Sequence, residues 1–176
     1  MIELVKNPNR YLKGSEIIVL PHHFEDERGS YRELYNKKGY NSLNIEFVQD
    51  DISISKRNVL RGIHGDAGTW KLVSCLKGSF ELVIVNCDKE DIGFGKWELF
   101  YLEEGKNIQI LIPPKFGNGH LVTSDEAIFH YKQSTYYGDY KQFTVKWNAE
   151  TLGIPWSTKE PILSERDQLG PFSFFL

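Results

Sequence analysis

Lys71-Leu72-Val73-Ser74-Cys75-Leu76-Lys77-Gly78-Ser79-Phe80-Glu81-Leu82-Val83-Ile84-Val85 reads as strand, turn, strand: two short apolar runs rich in β-branched residues, separated by Lys77-Gly78. The same pattern repeats outward in both directions. Runs of this kind span Glu16 to Leu20, Ser30 to Tyr35, Glu46 to Ser55, Trp97 to Leu102, Ile108 to Ile112, Ala127 to Ser134 and Gln142 to Trp147, with Glu104-Gly105 and Gly138-Asp139 as further turns. Many short strands with regular punctuation predict an all-β antiparallel sandwich or barrel. Helix is expected only around Ser164-Glu165-Arg166-Asp167, where Ser164 can cap and acidic residues suit a first turn. No repeat or linker interrupts the pattern, so residues 1–176 are expected to form a single domain.

Composition narrows the functional classes. The formal charge of -3 is spread over interspersed signs, which leaves no basic footprint for nucleic acid. The first residues lack the apolar core of a signal peptide, and no run approaches the roughly eighteen apolar residues of a membrane span, so a cytoplasmic protein is expected. Cys75 and Cys87 lack CxxC spacing and read as reduced cysteines without chemistry.

Two stretches carry reactive groups: Arg61-Gly62-Ile63-His64 with Lys71 behind it, and Phe129-His130-Tyr131-Lys132-Gln133-Ser134-Thr135-Tyr136-Tyr137. An imidazole with a pKa near its ordinary value of about 6.5 is a base at neutral pH, and a phenol can return a proton from elsewhere. Period-two alternation places Phe129, Tyr131 and Gln133 on one face, taken to be the cavity face, and leaves His130 half-exposed on the other. The same alternation sets Arg61 opposite His64 unless Gly62 marks a bulge. Lys71 follows a Gly-rich loop, Gly65 to Thr69, that can reset the register and bring its ammonium beside an enolate oxygen. Asp167 lies in a segment able to fold back and fix the His64 tautomer. A metal site is disfavoured: His64 is followed by Gly65-Asp66 rather than a second histidine, His22-His23 would face opposite ways on a strand, and His120 stands alone.

The order of Phe24 to Glu33, Phe47 to Asp51, Val59 to His64, Lys71-Leu72-Val73, Phe94 to Trp97, Ile112-Pro113, Phe129 to Tyr137, Gly153 to Trp156 and Leu163 to Asp167 resembles the dTDP-4-dehydrorhamnose 3,5-epimerase (RmlC) family, over about residues 16 to 168. The resemblance implies a cupin-type jelly roll without metal or other cofactor. It also implies a homodimer in which an N-terminal strand serves the partner, and a nucleotide-diphosphate 4-keto-sugar as substrate. It implies that His64 removes the hydrogen beside the ketone, Lys71 holds the enolate, Tyr131 reprotonates the opposite face and Asp167 orients His64. Arg28 and Arg61 would grip the diphosphate, with Glu33, Gln49 and Tyr137 lining sugar and base contacts.

The chain departs from the rhamnose enzymes at three places. Asn118 stands where they have histidine, with His120 in place of an aromatic; the loop from His64 to Lys71 is shorter; and Asp51 replaces an asparagine. A carboxylate suits guanine's adjacent N1 and N2 donors better than thymine. The pattern therefore looks closest to the bacterial GDP-4-keto-heptose epimerases of capsule synthesis, with a dTDP-4-keto-6-deoxyhexose epimerase as the alternative. A sugar-nucleotide binder without catalysis and a 3,4-ketoisomerase are the remaining readings, the latter typically carrying a His-x-His pair that this chain lacks.

Overall fold

The computed structural model describes residues 2–20 and 23–170, so His22 lies outside the described residues. It is a cupin-type jelly roll of two facing sheets. The six-stranded sheet runs β1 (Glu3–Lys6), β2 (Glu16–Val19), β10 (Ile108–Ile112), β7 (Lys71–Lys77), β12 (Glu126–Gln133), β5 (Gln49–Lys56). The five-stranded sheet runs β13 (Phe143–Thr144), β6 (Leu60–Gly65), β11 (Phe116–Val122), β8 (Ser79–Asn86), β9 (Trp97–Glu103). A separate hairpin, β3 (Phe24–Asp26) with β4 (Gly29–Tyr31), completes the strands, and one short helix, α1 (Glu165–Gln168), follows late in the chain.

Three apolar layers account for the near-continuous hydrophobicity of β7 and β8, which are covered on both faces. Between the sheets lie Val73, Cys75, Phe80, Leu82, Ile84, Ile110, Ile112 and Phe129. Behind the five-stranded sheet, Leu60, Ile63, Val83, Val85 and Leu121 are covered by the C-terminal segment through Val145, Ala149, Leu152 and Trp156. Behind the six-stranded sheet, Ile18, Leu72 and Leu111 pack under Tyr40 and the loop that precedes β5. Burial of this extent stabilises at roughly 25 cal/mol per Å² of apolar surface.

Several elements differ from the sequence expectation. The run expected at 30–35 stops at Tyr31, because β4 pairs only within its hairpin. The run expected at 142–147 is a strand only at Phe143–Thr144, after which the chain leaves the sheet to cover its outer face. Strand β11 carries the composition of a turn, yet it sits between β6 and β8. Its glycines make that placement possible: a Cβ on Gly119 would lie 3.0 Å from the Ile63 side chain, and one on Gly117 2.7 Å from it. His130 is buried rather than half-exposed, with Nε2 2.9 Å from the Asp50 carboxylate. Among the described residues no helix is long and apolar enough to cross a membrane.

Candidate active site

One end of the space between the sheets is open and polar. The cavity, about 290 Å³, is lined by Arg61 and His64 of β6, Lys71 of β7, Asn118 and His120 of β11, Phe129, Tyr131 and Gln133 of β12, Ile52 and Ser53 of β5, Tyr137 and Gln142, and Ser164, Arg166 and Asp167 around α1. The alternation conflict at Arg61 and His64 is resolved by a bulge. His64 pairs with Asn118 and Arg61 with His120, so β6 spends three residues where β11 spends two. Asn118 and His120 share a face, and their partners therefore share it too. Gly62 is the residue that turns the corner: its φ is +115°, and a Cβ there would come within 2.5 Å of the Gly119 backbone.

His64 is held by a carboxylate from the far end of the chain. Its Nε2 is 2.6 Å from Asp167 Oδ1, and Asp167 is 3 % exposed. The short helix exists to place that carboxylate. Ser164 caps α1, its hydroxyl accepting the Asp167 N–H at 3.2 Å and donating to Asp167 Oδ2 at 2.8 Å. Burial pushes the Asp167 carboxyl up, but the bonds and charge from His64, with the Ser164 hydroxyl and the Gly62 N–H, outweigh it and hold the carboxyl below its ordinary value. With Nε2 committed, Nδ1 is the ring nitrogen left to take a proton.

Lys71 is buried and donates to Asn118 Oδ1 at 3.1 Å. Burial lowers its pKa; Asp66 opposes that shift and the Arg166 charge adds to it. The loop before it is folded by Asp66, whose Oδ1 accepts the N–H groups of Gly68 and Thr69 at 3.0 and 2.8 Å. On the adjacent strand, across the cavity from His64, burial first and Asp51 second push the Tyr131 phenol up to about 12. Arg61 donates to Ser55 Oγ at 3.0 Å. The arrangement offers an imidazole with an orienting carboxylate on the five-stranded wall and, on the six-stranded wall, a protonated phenol and an ammonium that reaches across to Asn118. That is the equipment to move a proton off and onto carbon. No group of three His, Cys, Asp or Glu side chains that could hold a metal ion occurs among the described residues.

Of the site residues expected from sequence, His64, Tyr131, Lys71, Asp167, Arg61, Asn118 and Tyr137 line this cavity. Gln49 and Asp51 stand beside it on the same face of the six-stranded sheet, across from Gln133 and Tyr131, and Gln49 accepts the Tyr137 N–H. Arg28 and Glu33 are not brought in. Arg28 is tied to Asp26 at 2.5 Å in the β3–β4 turn, and Glu33 accepts from Asn36 beside Lys38. His120 was left out on sequence, yet it lines the cavity, with its ring stacked on Phe129 at 4.0 Å and its buried Nε2 without a partner. Burial and the Arg61 charge lower its pKa to about 3. Alternation with Asn118 along one strand would have found it, had Phe116 to Val122 been read as a strand. Arg166 was also missed: it donates to Thr144 Oγ1 at 3.1 Å and Gln142 Oε1 at 3.0 Å at the cavity mouth.

Residues 12–173 match the family model described as dTDP-4-dehydrorhamnose 3,5-epimerase. The chain belongs to this family. A relative from Salmonella typhimurium named dTDP-4-dehydrorhamnose 3,5-epimerase is 38% identical over 162 residues, covering 88% of each chain. A crystal structure of the enzyme of that name from Elizabethkingia anophelis has a TM-score of 0.84 at 39% identity, covering 97% of this chain and 95% of that one. The dTDP-6-deoxy-D-glucose-3,5-epimerase of Legionella pneumophila, in complex with dTDP-4-keto-L-rhamnose, has a TM-score of 0.87 at 30% identity, covering 97% and 92%. Membership makes the chain an isomerase, an epimerase acting on sugar nucleotides.

Proposed function

We propose that the chain inverts the carbons flanking the C4 ketone of a nucleotide-diphosphate-linked sugar, at C3, C5 or both. The observation that carries this is the placement of His64 and Tyr131 on opposite walls of one cavity, from different sheets. A ring seated between them meets a base on one face and an acid on the other, as inversion requires; a lone base would return the hydrogen to the face it left. Nδ1 of His64 takes the hydrogen alpha to the ketone, and Asp167 stabilises the imidazolium that results. The electron pair moves onto the ketone oxygen, where Lys71 with Asn118 offsets the developing charge. When the ketone re-forms, carbon takes a proton from Tyr131 on the other face. Arg61 and Arg166 supply positive charge for the diphosphate.

The favoured substrate is a dTDP-linked 4-keto-6-deoxyhexose. The guanine-reading role for Asp51 loses its support, because that carboxylate already accepts from Gln49 and Gln133. A GDP-4-keto-heptose is the second reading, favoured by Asn118 and His120 where the rhamnose enzymes differ. We also propose that the active form is a homodimer. Strand β5 ends its sheet and turns Ile52 and Ile54 outward, 60% and 55% exposed, while the β3–β4 hairpin projects Phe24 and Tyr31 at 73% and 71%. A partner's hairpin is then the route by which Arg28 reaches a diphosphate. Incubation with dTDP-4-keto-6-deoxyglucose and with a GDP-linked 4-keto-heptose in heavy water, followed by NMR, tests the reading. Deuterium should enter at the inverted carbon of the dTDP sugar; no uptake into either sugar refutes catalysis, and uptake into the GDP sugar alone reverses the choice of substrate.

A further inference from the structure

The wall that carries Tyr131 is braced by a hydrogen-bonded patch which the epimerase reading leaves unused. Asp51 on β5 lies directly across from Tyr131 on β12, and Gln49 lies across from Gln133. Two donors converge on the Asp51 carboxylate, Gln49 Nε2 at 2.8 Å and Gln133 Nε2 at 2.7 Å, both on Oδ2, and the Tyr131 phenol is its cross-strand neighbour on the same face. The orientation of Gln49 is fixed independently, because its Oε1 accepts the backbone N–H of Tyr137 at 2.8 Å and so turns the amide nitrogen toward Asp51. An acceptor-only group suits this position. An amide would accept on one oxygen and turn its own N–H groups against a donor.

We propose that Asp51 is a positioning residue for Tyr131, holding the phenol oxygen at a fixed place on the cavity wall and keeping it protonated between turnovers. Rotation about the phenol C–O bond then carries the hydrogen from the carboxylate to the ring of the substrate without moving the tyrosine. In that step the O–H bond breaks, a C–H bond forms from the enolate electron pair, the ketone returns, and the phenolate recovers a proton from water. Besides Asp51, Tyr137 raises the Tyr131 phenol; His64 faces it from the other sheet, and Lys71 sits on the adjacent strand of its own sheet. Without the carboxylate the phenol tip is free to turn away, and placement of a proton donor controls its rate steeply.

This inference rests on the reading of Tyr131 as the acid, and the experiment separates the two. Asp51→Asn, Asp51→Ser and Tyr131→Phe are compared on dTDP-4-keto-6-deoxyglucose in heavy water, scoring exchange beside the ketone and inversion separately. The Asp51 variants should lose about tenfold in kcat for inversion, with KM and His64-dependent exchange held within about twofold. Exchange and inversion falling in step would show a merely structural role and overturn the proposal. So would a KM rise at constant kcat, which marks a base contact, or a higher ratio of inversion to exchange, which marks a carboxylate that restrains the acid. If Tyr131→Phe retains inversion, the acid assignment itself fails; if it loses inversion while the Asp51 variants keep it, only the role of Asp51 falls.

Discussion

The two ends of the space between the sheets are built by the same strands and have opposite chemistry. Along the inward face of β7 the residues run Lys71, Val73, Cys75; along β12 they run Gln133, Tyr131, Phe129, Ala127; along β11, Asn118 and His120 give way to Val122. The strands thus hand over from polar to apolar within two or three inward positions. At the apolar end Phe80, Leu102, Val122 and Ala127 are buried, each 1% exposed, while Leu82 and Ile84 stand beside His120 and Asn118 on the next strand. At the polar end a buried ammonium is held by Asn118 and a buried carboxylate by His64 and Ser164, while the His120 ring, with its unpartnered nitrogen, is held by stacking on Phe129. Backbone geometry therefore sets which side chains look inward, and the residue chosen at each inward position sets whether the space becomes core or site. The apolar half stabilises the molecule, and the polar half spends part of that stability on holding reactive groups out of water.

The sharpest break of this contrast is a change at the polar end that costs activity without costing the fold. His64→Gln, whose amide N–H can still serve the buried Asp167, should lower deuterium exchange at every position by about 10⁴-fold, the upper range for a positioned acid–base group, while the midpoint of denaturant unfolding stays near that of the parent. Exchange that survives within tenfold would remove His64 from the chemistry. The converse change lies at the apolar end. Leu102→Ala should lower unfolding free energy by about 3 kcal/mol, because Leu102 is buried between the sheets across from Phe80, while kcat per folded molecule changes little. A loss of kcat as large as that at His64 would show that the two ends are not separable.

How far this division could be read in advance differs between the two ends and between kinds of residue. The apolar runs of β7, β8 and β10 announce themselves, since being covered on both faces leaves them hydrophobic throughout. Alternation placed Phe129, Tyr131 and Gln133 on the cavity face, and the cap at Ser164 located the helix that carries Asp167. What alternation could not give was the bulge at Gly62, which brings Arg61 and His64 together, because a register shift depends on the partner strand. That partner, β11, was hidden by glycines that local propensity reads as a turn and that packing against Ile63 requires. His130 was misplaced because alternation names a face but not what covers it. The surface hairpin with Arg28 lies beyond any argument from one chain's core.

The smallest and most discriminating change lies at Lys71, where stability and activity should move in opposite directions. Its folded pKa lies below the ordinary lysine value of about 10.4, chiefly through burial, so the folded chain binds fewer protons than the unfolded chain as pH climbs toward that value. Stability contributed by this group therefore rises with pH across that window, and the cost of burying the ammonium is present at all lower pH. Lys71→Met removes the charge and keeps most of the stem. At neutral pH the variant should be more stable by about 1 kcal/mol, since replacing a buried ion by a well-packed apolar side chain is commonly neutral or favourable. The gain should shrink as pH approaches 10, where the parent lysine sheds its proton on its own. Activity should fall about 10²-fold through loss of the charge beside the enolate oxygen. Denaturant unfolding at pH 7 and pH 10, paired with the exchange assay, checks both halves. A variant less stable than the parent at pH 7, or a gain that does not shrink with pH, would mean that the Asn118 and Asp66 contacts fully offset the burial of Lys71, and that this polar end is held at no cost to the fold.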